Sequence, residues 1–268
     1  MDGFCRLVLS VFHAKPNILG TFRWHAFLLV SVCLILAGCG AATGPASDTG
    51  PVSATAATTA GSSTDDRTDG EPLPKIENPT LADIMAPGPL PERVLGKADA
   101  PVTLIEYVSL TCPYCRAFHE KVLADIKRDY IDKGKVRLIV REFPIGKTAG
   151  AATIVNRCIR EDKYFSLLHR YLVEQKAWVS QEVRRDAIFD VARKDGMTRV
   201  EFDACFDNQQ VIAGLKWVKE RGRRLGVVGT PTFFVQDVKL RTSPSAEDIR
   251  RALDAALQKT VSAGMLVR

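Results

Sequence analysis

An α/β fold, split by a long helical insertion, is what this sequence predicts, on three observations. Residues 101–109 (PVTLIEYVS) and 136–143 (VRLIVREF) are apolar and β-branched, the composition of buried strands. Between them Phe118, Val122, Ile126 and Tyr130 recur every fourth residue with Leu123 beside them, the stripe of an amphipathic helix. Residues 147–224 then read as helix almost throughout, before a Gly-Thr-Pro turn and a short apolar run at 232–235. Strand, helix and strand in succession form a βαβ unit, and the helices that follow interrupt it.

The chain opens outside that fold. Its 268 residues suffice for one or two domains with a substantial core. Residues 1–38 read instead as an export signal: Arg6, Lys15 and Arg23 precede an apolar run of 11 at 26–36 (AFLLVSVCLIL), too short to span a bilayer comfortably. The run ends in Leu36-Ala37-Gly38-Cys39, which resembles the lipobox of bacterial lipoproteins and implies a lipidated Cys39 as the mature N-terminus. An uncleaved anchor and an ordinary signal peptide are the alternatives. Residues 39–75 are Ala, Thr, Gly, Ser, Pro and Asp, with too little to bury, and predict a disordered tether. About 35 residues of such coil reach roughly 30–35 Å on average.

Charge narrows the partners. The tether holds five acids against two bases and the export segment three bases against one acid, so of the formal +6 about +7 falls on residues 76–268. The basic residues are scattered and no aromatics interleave with them, which argues against nucleic acid and for a solvated basic surface.

The elements of the globular part follow in order. Residues 76–146 carry the first strand, the helix ended by Lys133-Gly134-Lys135, and the second strand. The insertion, 147–224, divides into helices at 148–161, 163–175, 180–195, 199–206 and 208–224, broken at Glu161-Asp162, Lys176 to Val179, Asp195-Gly196 and Asp207. Residues 225–268 supply the strand at 232–235, a possible hairpin partner at 237–240, and a last helix at 246–259 with Ser245 as N-cap and Asp248 three residues on.

The chemistry centres on Thr111-Cys112-Pro113-Tyr114-Cys115. A C-x-x-C pair can hold a metal, brace a fold or trade electrons, and spacing alone does not choose. Its place between a strand and a helix does, since a redox pair needs that context and a zinc knuckle does not. Thiolate is the attacking species in disulfide exchange. Cys112 at a helix start meets free N–H groups and the positive end of the dipole, and Pro113 at the first helical position sacrifices no hydrogen bond. Such placement lowers a thiol pKa from about 8.5 to roughly 3.5–7. Cys115, one turn in and shielded, would resolve mixed disulfides. A structural zinc site takes four ligands, and Cys158 and Cys205 are neither close-spaced nor near a histidine pair, so no metal is expected.

From about residue 94 to 258 these features together resemble a DsbA-type thiol:disulfide oxidoreductase: CPYC at the first helix, a helical insertion, then a GTPTF loop. The resemblance implies a thioredoxin fold with a helical insertion between the βαβ unit and a cis-proline hairpin. It also implies a buried proton-accepting acid at Glu106, six residues before Cys112. Pro231 would be cis, facing the cysteines, with Thr230, Pro113 and Tyr114 against the substrate chain. It implies no cofactor beyond the redox-active disulfide and a monomer lipid-anchored in the bacterial envelope, facing the periplasm. Its partners would be unfolded exported proteins with thiols and a membrane redox partner that resets the disulfide. Two departures bear on direction. Tyr114 stands where the best-known members carry histidine, and Thr230 before the proline is a feature of isomerases and reductases. Oxidation of substrates leads, with a reductase or isomerase as the alternative and a metal-binding lipoprotein behind both.

Of the seven cysteines, Cys5 and Cys33 leave with the signal and Cys39 takes lipid. Cys158 and Cys205, 47 positions apart, are then expected to form a structural disulfide in an oxidising compartment, with two buried free thiols as the alternative. His119 is expected to be a half-exposed helix residue, His169 to be structural, and Arg221-Gly222-Arg223-Arg224 a solvated charge run.

Overall fold

The structure, a computed structural model, describes residues 74–266; the export signal, Cys39 and nearly all of the tether lie outside the described residues. A five-stranded sheet forms the centre, in the order β1 (Arg93–Leu95), β3 (Val136–Glu142), β2 (Val102–Val108), β4 (Thr232–Val235) and β5 (Val238–Lys239). β2 and β3 run parallel, Leu104 opposite Leu138, and the other neighbours pair antiparallel. The parallel pair is joined by α2 (Pro113–Lys121), α3 (Leu123–Ile126) and a π-helical turn at Lys127–Ile131.

Every residue of β2 is buried, because the sheet is covered on both faces. Successive side chains on a strand point to opposite faces. Val102, Leu104 and Val108 join the larger core with Phe118, Ile126 and Phe233, whereas Ile105 and Tyr107 pack with Ile84, Ile139, Phe143 and Phe234 on the other side. Glu106 shares the alternation of Leu104 and Val108. A carboxylate on the core-facing side of a central strand needs a partner.

The insertion lies between β3 and β4. It comprises α4 (Lys147–Cys158), α5 (Tyr164–Val173), α6 (Gln175–Trp178), α7 (Arg185–Ala192), α8 (Arg199–Cys205) and α9 (Gln209–Arg224), and α10 (Ala246–Leu266) follows the last strand. Thr198 and Asn208 cap α8 and α9 by accepting from Glu201 and Val211 amides.

Several expectations need correction. The break at Lys176 to Val179 is the short helix α6, whose Trp178 is buried with its indole N–H donating to the Tyr171 carbonyl at 2.8 Å. The helix expected from 180 starts only at Arg185. The single amphipathic helix after CPYC is broken at Val122, and the π turn, with its extra residue per turn, brings both Tyr130 and Ile131 into the core. Two short elements had no expectation: β1, and α1 (Leu81–Met85), which is held by a Thr80–Asp83 capping box.

The charge run on α9 is only partly solvated. Arg221 is largely covered and donates to the Asp83 carbonyl at 2.5 Å. Gly222 is buried because a Cβ there would stand 2.8 Å from the Tyr107 ring, so the glycine lets α9 lie close against β2.

Across the seam between insertion and sheet runs a buried ion pair. Arg157 donates to Glu142 at 2.9 Å, the Tyr164 hydroxyl donates to the same oxygen at 3.0 Å, and both charged side chains are about 5% exposed or less. Breaking a buried pair from one side leaves an uncompensated charge and costs about 3–5 kcal/mol, whereas removing both charges together costs far less. Arg157→Met is therefore expected to destabilise the protein by that amount in urea unfolding, and adding Glu142→Leu to recover much of it. Equal midpoints for the single and double variants would refute this account.

Candidate active site

Sequence and backbone together place Cys112. β2 ends at Val108, Ser109 to Thr111 turn the chain, and Cys112 is the N-cap of α2 with extended backbone angles (φ −78°, ψ 121°) and Pro113 next. Its Sγ accepts from the Cys115 amide at 3.5 Å, as an N-cap side chain does. Cys112 is half-exposed and Cys115 fully buried, and all four described cysteines are free thiols.

The cis peptide Thr230–Pro231 brings a second strand of contacts to the same sulfur. Cys112 Sγ lies 3.1 Å from the Thr230 carbonyl oxygen, to which it donates when protonated. The Thr230 hydroxyl is buried with no other partner, so it is free to donate to the sulfur once the proton has left.

These contacts separate the two thiols. Cys112 is pushed down to about 6, first by the Cys115 thiol donating to its sulfur, then by the Thr230 hydroxyl and the Cys115 and Tyr114 amides, against the cost of burial. Burial pushes Cys115 the other way, with its donation to Cys112 and the nearby Glu106 charge adding to the rise. One sulfur is a thiolate at neutral pH and its neighbour holds a proton.

The surroundings fall into three groups. On the surface, Tyr114 in the first turn of α2 is 65% exposed, and the apolar Ile145 and Val228, also exposed, lie on the loops that follow β3 and precede β4. The Ile145 loop is tied in place by its amide donating to the Ser109 hydroxyl at 3.2 Å. Beside them a groove runs past Phe118, Lys121, Pro231 and Phe233. Behind the CPYC loop, the buried Gln175 of α6 donates to the Leu110 and Cys112 carbonyls at 2.8 and 3.0 Å. Sequence reasoning missed Gln175, since nothing local distinguishes it from a surface glutamine.

Beneath the cysteines lies Glu106, fully buried, with His119 Nε2 3.0 and 3.3 Å from its two carboxylate oxygens. This corrects the expectation for His119, whose side chain is 1% exposed. The signal was present in the sequence as an acid inside an apolar strand that had to be answered by something. His169, by contrast, sits on the surface of α5, held below its ordinary value by desolvation and then by the neighbouring His119.

The expected residues thus assemble as Cys112, Pro113, Tyr114 and Cys115 on α2, Thr230 and Pro231 opposite, and Glu106 below. Cys158 and Cys205 are not among them. They end α4 and α8, with the Cys205 thiol in hydrogen-bonding contact with Cys158 and also 3.1 Å from the Glu201 carbonyl. That contact lowers Cys158 and, with burial, raises Cys205. Among the described residues no group of three or more His, Cys, Asp or Glu is arranged to hold a metal ion.

Comparison with known proteins agrees with this architecture. A protein of Rickettsia conorii, named as a candidate protein-disulfide oxidoreductase, is 31% identical over 173 residues, 63% of this chain and 61% of that protein. The chain spans 61% and 66% of the length of two such Rickettsia relatives. Disulfide bond formation protein D of Bacillus subtilis is 26% identical over 170 residues, 62% of this chain and 77% of that one. Among solved structures, alpha-DsbA1 of Wolbachia pipientis superposes with a TM-score of 0.61 at 25% identity, covering 69% of this chain and 99% of its own. The thioredoxin family model matches residues 90–255, well over half of the sequence, and the chain belongs to the thioredoxin family.

Proposed function

We propose that this protein is a thiol:disulfide oxidoreductase of the bacterial envelope that introduces disulfides into exported proteins through Cys112 and Cys115. The observation that carries the reading is the asymmetry of the pair, a half-exposed Cys112 lowered to about 6 beside a buried Cys115 raised well above its usual value. The names borne by the relatives support it. Starting from the Cys112–Cys115 disulfide, a substrate thiolate attacks Cys112 Sγ, and the electron pair of the broken S–S bond leaves on Cys115, which takes up a proton. A second substrate thiolate then attacks the substrate sulfur of the mixed disulfide and expels Cys112 as thiolate. Two electrons pass from substrate to enzyme. A low Cys112 pKa makes it a good leaving group and stabilises the reduced enzyme, which is what an oxidant needs.

In this reading Cys112 is the nucleophile when the pair is reset, Cys115 the resolving thiol and Glu106 the proton acceptor. Thr230 and Pro231 offer backbone to an extended substrate, and Pro113 and the exposed Tyr114 form the near wall. The apolar rim suits unfolded chains. A membrane partner takes the electrons, and Cys39 holds the domain to lipid through the tether. Cys158 and Cys205, free thiols in contact in this structure, are read as closing to a structural disulfide outside the cycle in an oxidising compartment.

Tyr114 favours a second reading, an isomerase or reductase, because it cannot offer the thiolate the charge-assisted hydrogen bond of a histidine. Loss of one such bond, about 1.5–3 kcal/mol, lowers the potential by about 30–65 mV from about −120 mV for the strongest oxidants. The Cys112–Cys115 pair is expected at about −150 to −185 mV in glutathione redox titration, and Tyr114→His should raise it. A value near thioredoxin's, about −270 mV, would make the protein a reductase.

Roles of the two thiols are separable. Cys115→Ser should accumulate mixed disulfides through Cys112, and Cys112→Ser none. In the reduced wild type, alkylation of Cys112 should be half-maximal at about pH 6 and fall away below it, as the thiolate is protonated. A midpoint near 8.5, the ordinary thiol value, would remove the basis of the mechanism.

Mass spectrometry of the protein from its native membrane, alkylated without reduction, reads the remaining assignments together. Cys158 and Cys205 should resist alkylation and appear as one linked peptide, and the N-terminal peptide should start at an acylated Cys39. Two alkylated thiols or an unmodified Cys39 would refute the corresponding assignment.

A further inference from the structure

The buried base under Cys115 is a pair of side chains rather than a carboxylate alone. Glu106 is fully buried on the core-facing side of β2, and among the described residues the only side chain bonded to its carboxylate is His119, at 3.0 and 3.3 Å. His119 is itself covered, its side chain 1% exposed. An isolated buried carboxylate is costly, and a hydrogen-bonded partner within reach of both its oxygens offsets part of that cost. Charged and titratable groups around the ring are Glu106 from β2, His169 from α5, and Cys115, Arg116 and Glu120 from its own helix. Arg116 and Glu120 neutralise one another at 3.8 Å on the outer face.

Disulfide exchange makes a demand on this pair. Each time the Cys112–Cys115 bond opens, the electron pair lands on a sulfur with no exposure to water, and each time Cys115 attacks, its proton has to go somewhere. Glu106 is near enough for its charge to raise the Cys115 thiol. Resting on the oxidoreductase reading above, we propose that His119 is a positioning residue that stores the proton Glu106 passes to and from Cys115. On opening, Cys115 thiolate with Glu106 carboxylate and His119 imidazolium becomes Cys115 thiol with Glu106 carboxylate and neutral His119. The reverse transfer accompanies attack by Cys115. Proton and charge balance in both directions: the local charge is zero while the disulfide is closed, becomes minus one when the electron pair arrives on Cys115, and is unchanged by the proton transfer. His169, exposed on α5, is near enough to His119 to feel its charge.

The test has two parts. Nitrogen NMR of the wild-type oxidised protein at pH 7 should show both His119 ring nitrogens protonated; a neutral ring overturns the proposal whatever any variant does. In stopped-flow reaction with a reduced peptide, His119→Gln keeps a donor to Glu106 but stores no proton. It should react about a hundredfold more slowly, the low end of what a positioned proton donor supplies. Both rates rise with pH as the peptide's own thiols ionise, so the readout is their ratio, and the variant's rate relative to wild type should fall further from pH 6 to 8. Glu106→Gln should match it, and the double variant should be no slower. His119→Gln within about twofold of wild type while Glu106→Gln is slow would reduce His119 to packing. A wild type that leaves the peptide reduced sinks the oxidoreductase reading itself, and this inference with it. A peptide oxidised equally well by wild type and His119→Gln sinks only the role of His119.

Discussion

Holding a thiolate half out of water, next to a second sulfur that keeps its proton, is the constraint on which the rest of this structure depends. No single group achieves it. The start of α2 supplies amides, Cys115 supplies a thiol hydrogen bond, and Thr230 supplies a hydroxyl, and burial opposes all three. Those donors come from two segments more than a hundred residues apart in sequence, so the sheet has to bring them together to within a few tenths of an ångström. β2 does this by pairing with β4 in a register that sets Glu106 opposite Phe233 and Tyr107 opposite Thr232, which delivers the Thr230–Pro231 turn to the first turn of α2.

The insertion takes part in this arrangement and does more than decorate it. Gln175 reaches out of α6 to the Leu110 and Cys112 carbonyls, so the CPYC loop is fastened on its far side by the helical segment. Such a loop could otherwise relax away from Thr230 and lose the hydroxyl contact. The Arg157–Glu142–Tyr164 cluster anchors α4 and α5 to the end of β3 in turn. Packing, buried polar contacts and thiol chemistry therefore form one chain of dependence, from the insertion through the loop to the sulfur.

How much of this was legible depended on how local its cause was. The parallel strands, the cysteines at a helix start and the turn before Thr232 announce themselves through composition and punctuation within a few residues. Length hid β1 and α1, since three strand residues and five helical ones carry too little periodicity to stand out. The helix boundary at Val122 was hidden because apolar spacing continued through it while the backbone did not. Distance hid Gln175 and the Glu106–His119 pair. A histidine at position 119 reads as surface on its own helix, and only a strand 13 residues earlier makes it core.

Glu106 shows why these failures cluster where they do. Every other residue of β2 that faces the larger core is aliphatic, and any aliphatic side chain at 106 would satisfy the strand, the sheet and the packing with Phe118 and Phe233. The fold gains nothing from a carboxylate there and requires a second polar residue to compensate it. A position that breaks the local rule, and whose compensation is bought with another buried polar side chain, is best explained by chemistry the core itself does not need. Cys115 lies close enough to that carboxylate to feel its charge, and it is the sulfur in the site that has no route of its own to water. The exception in the strand and the isolation of the thiol are two sides of one arrangement.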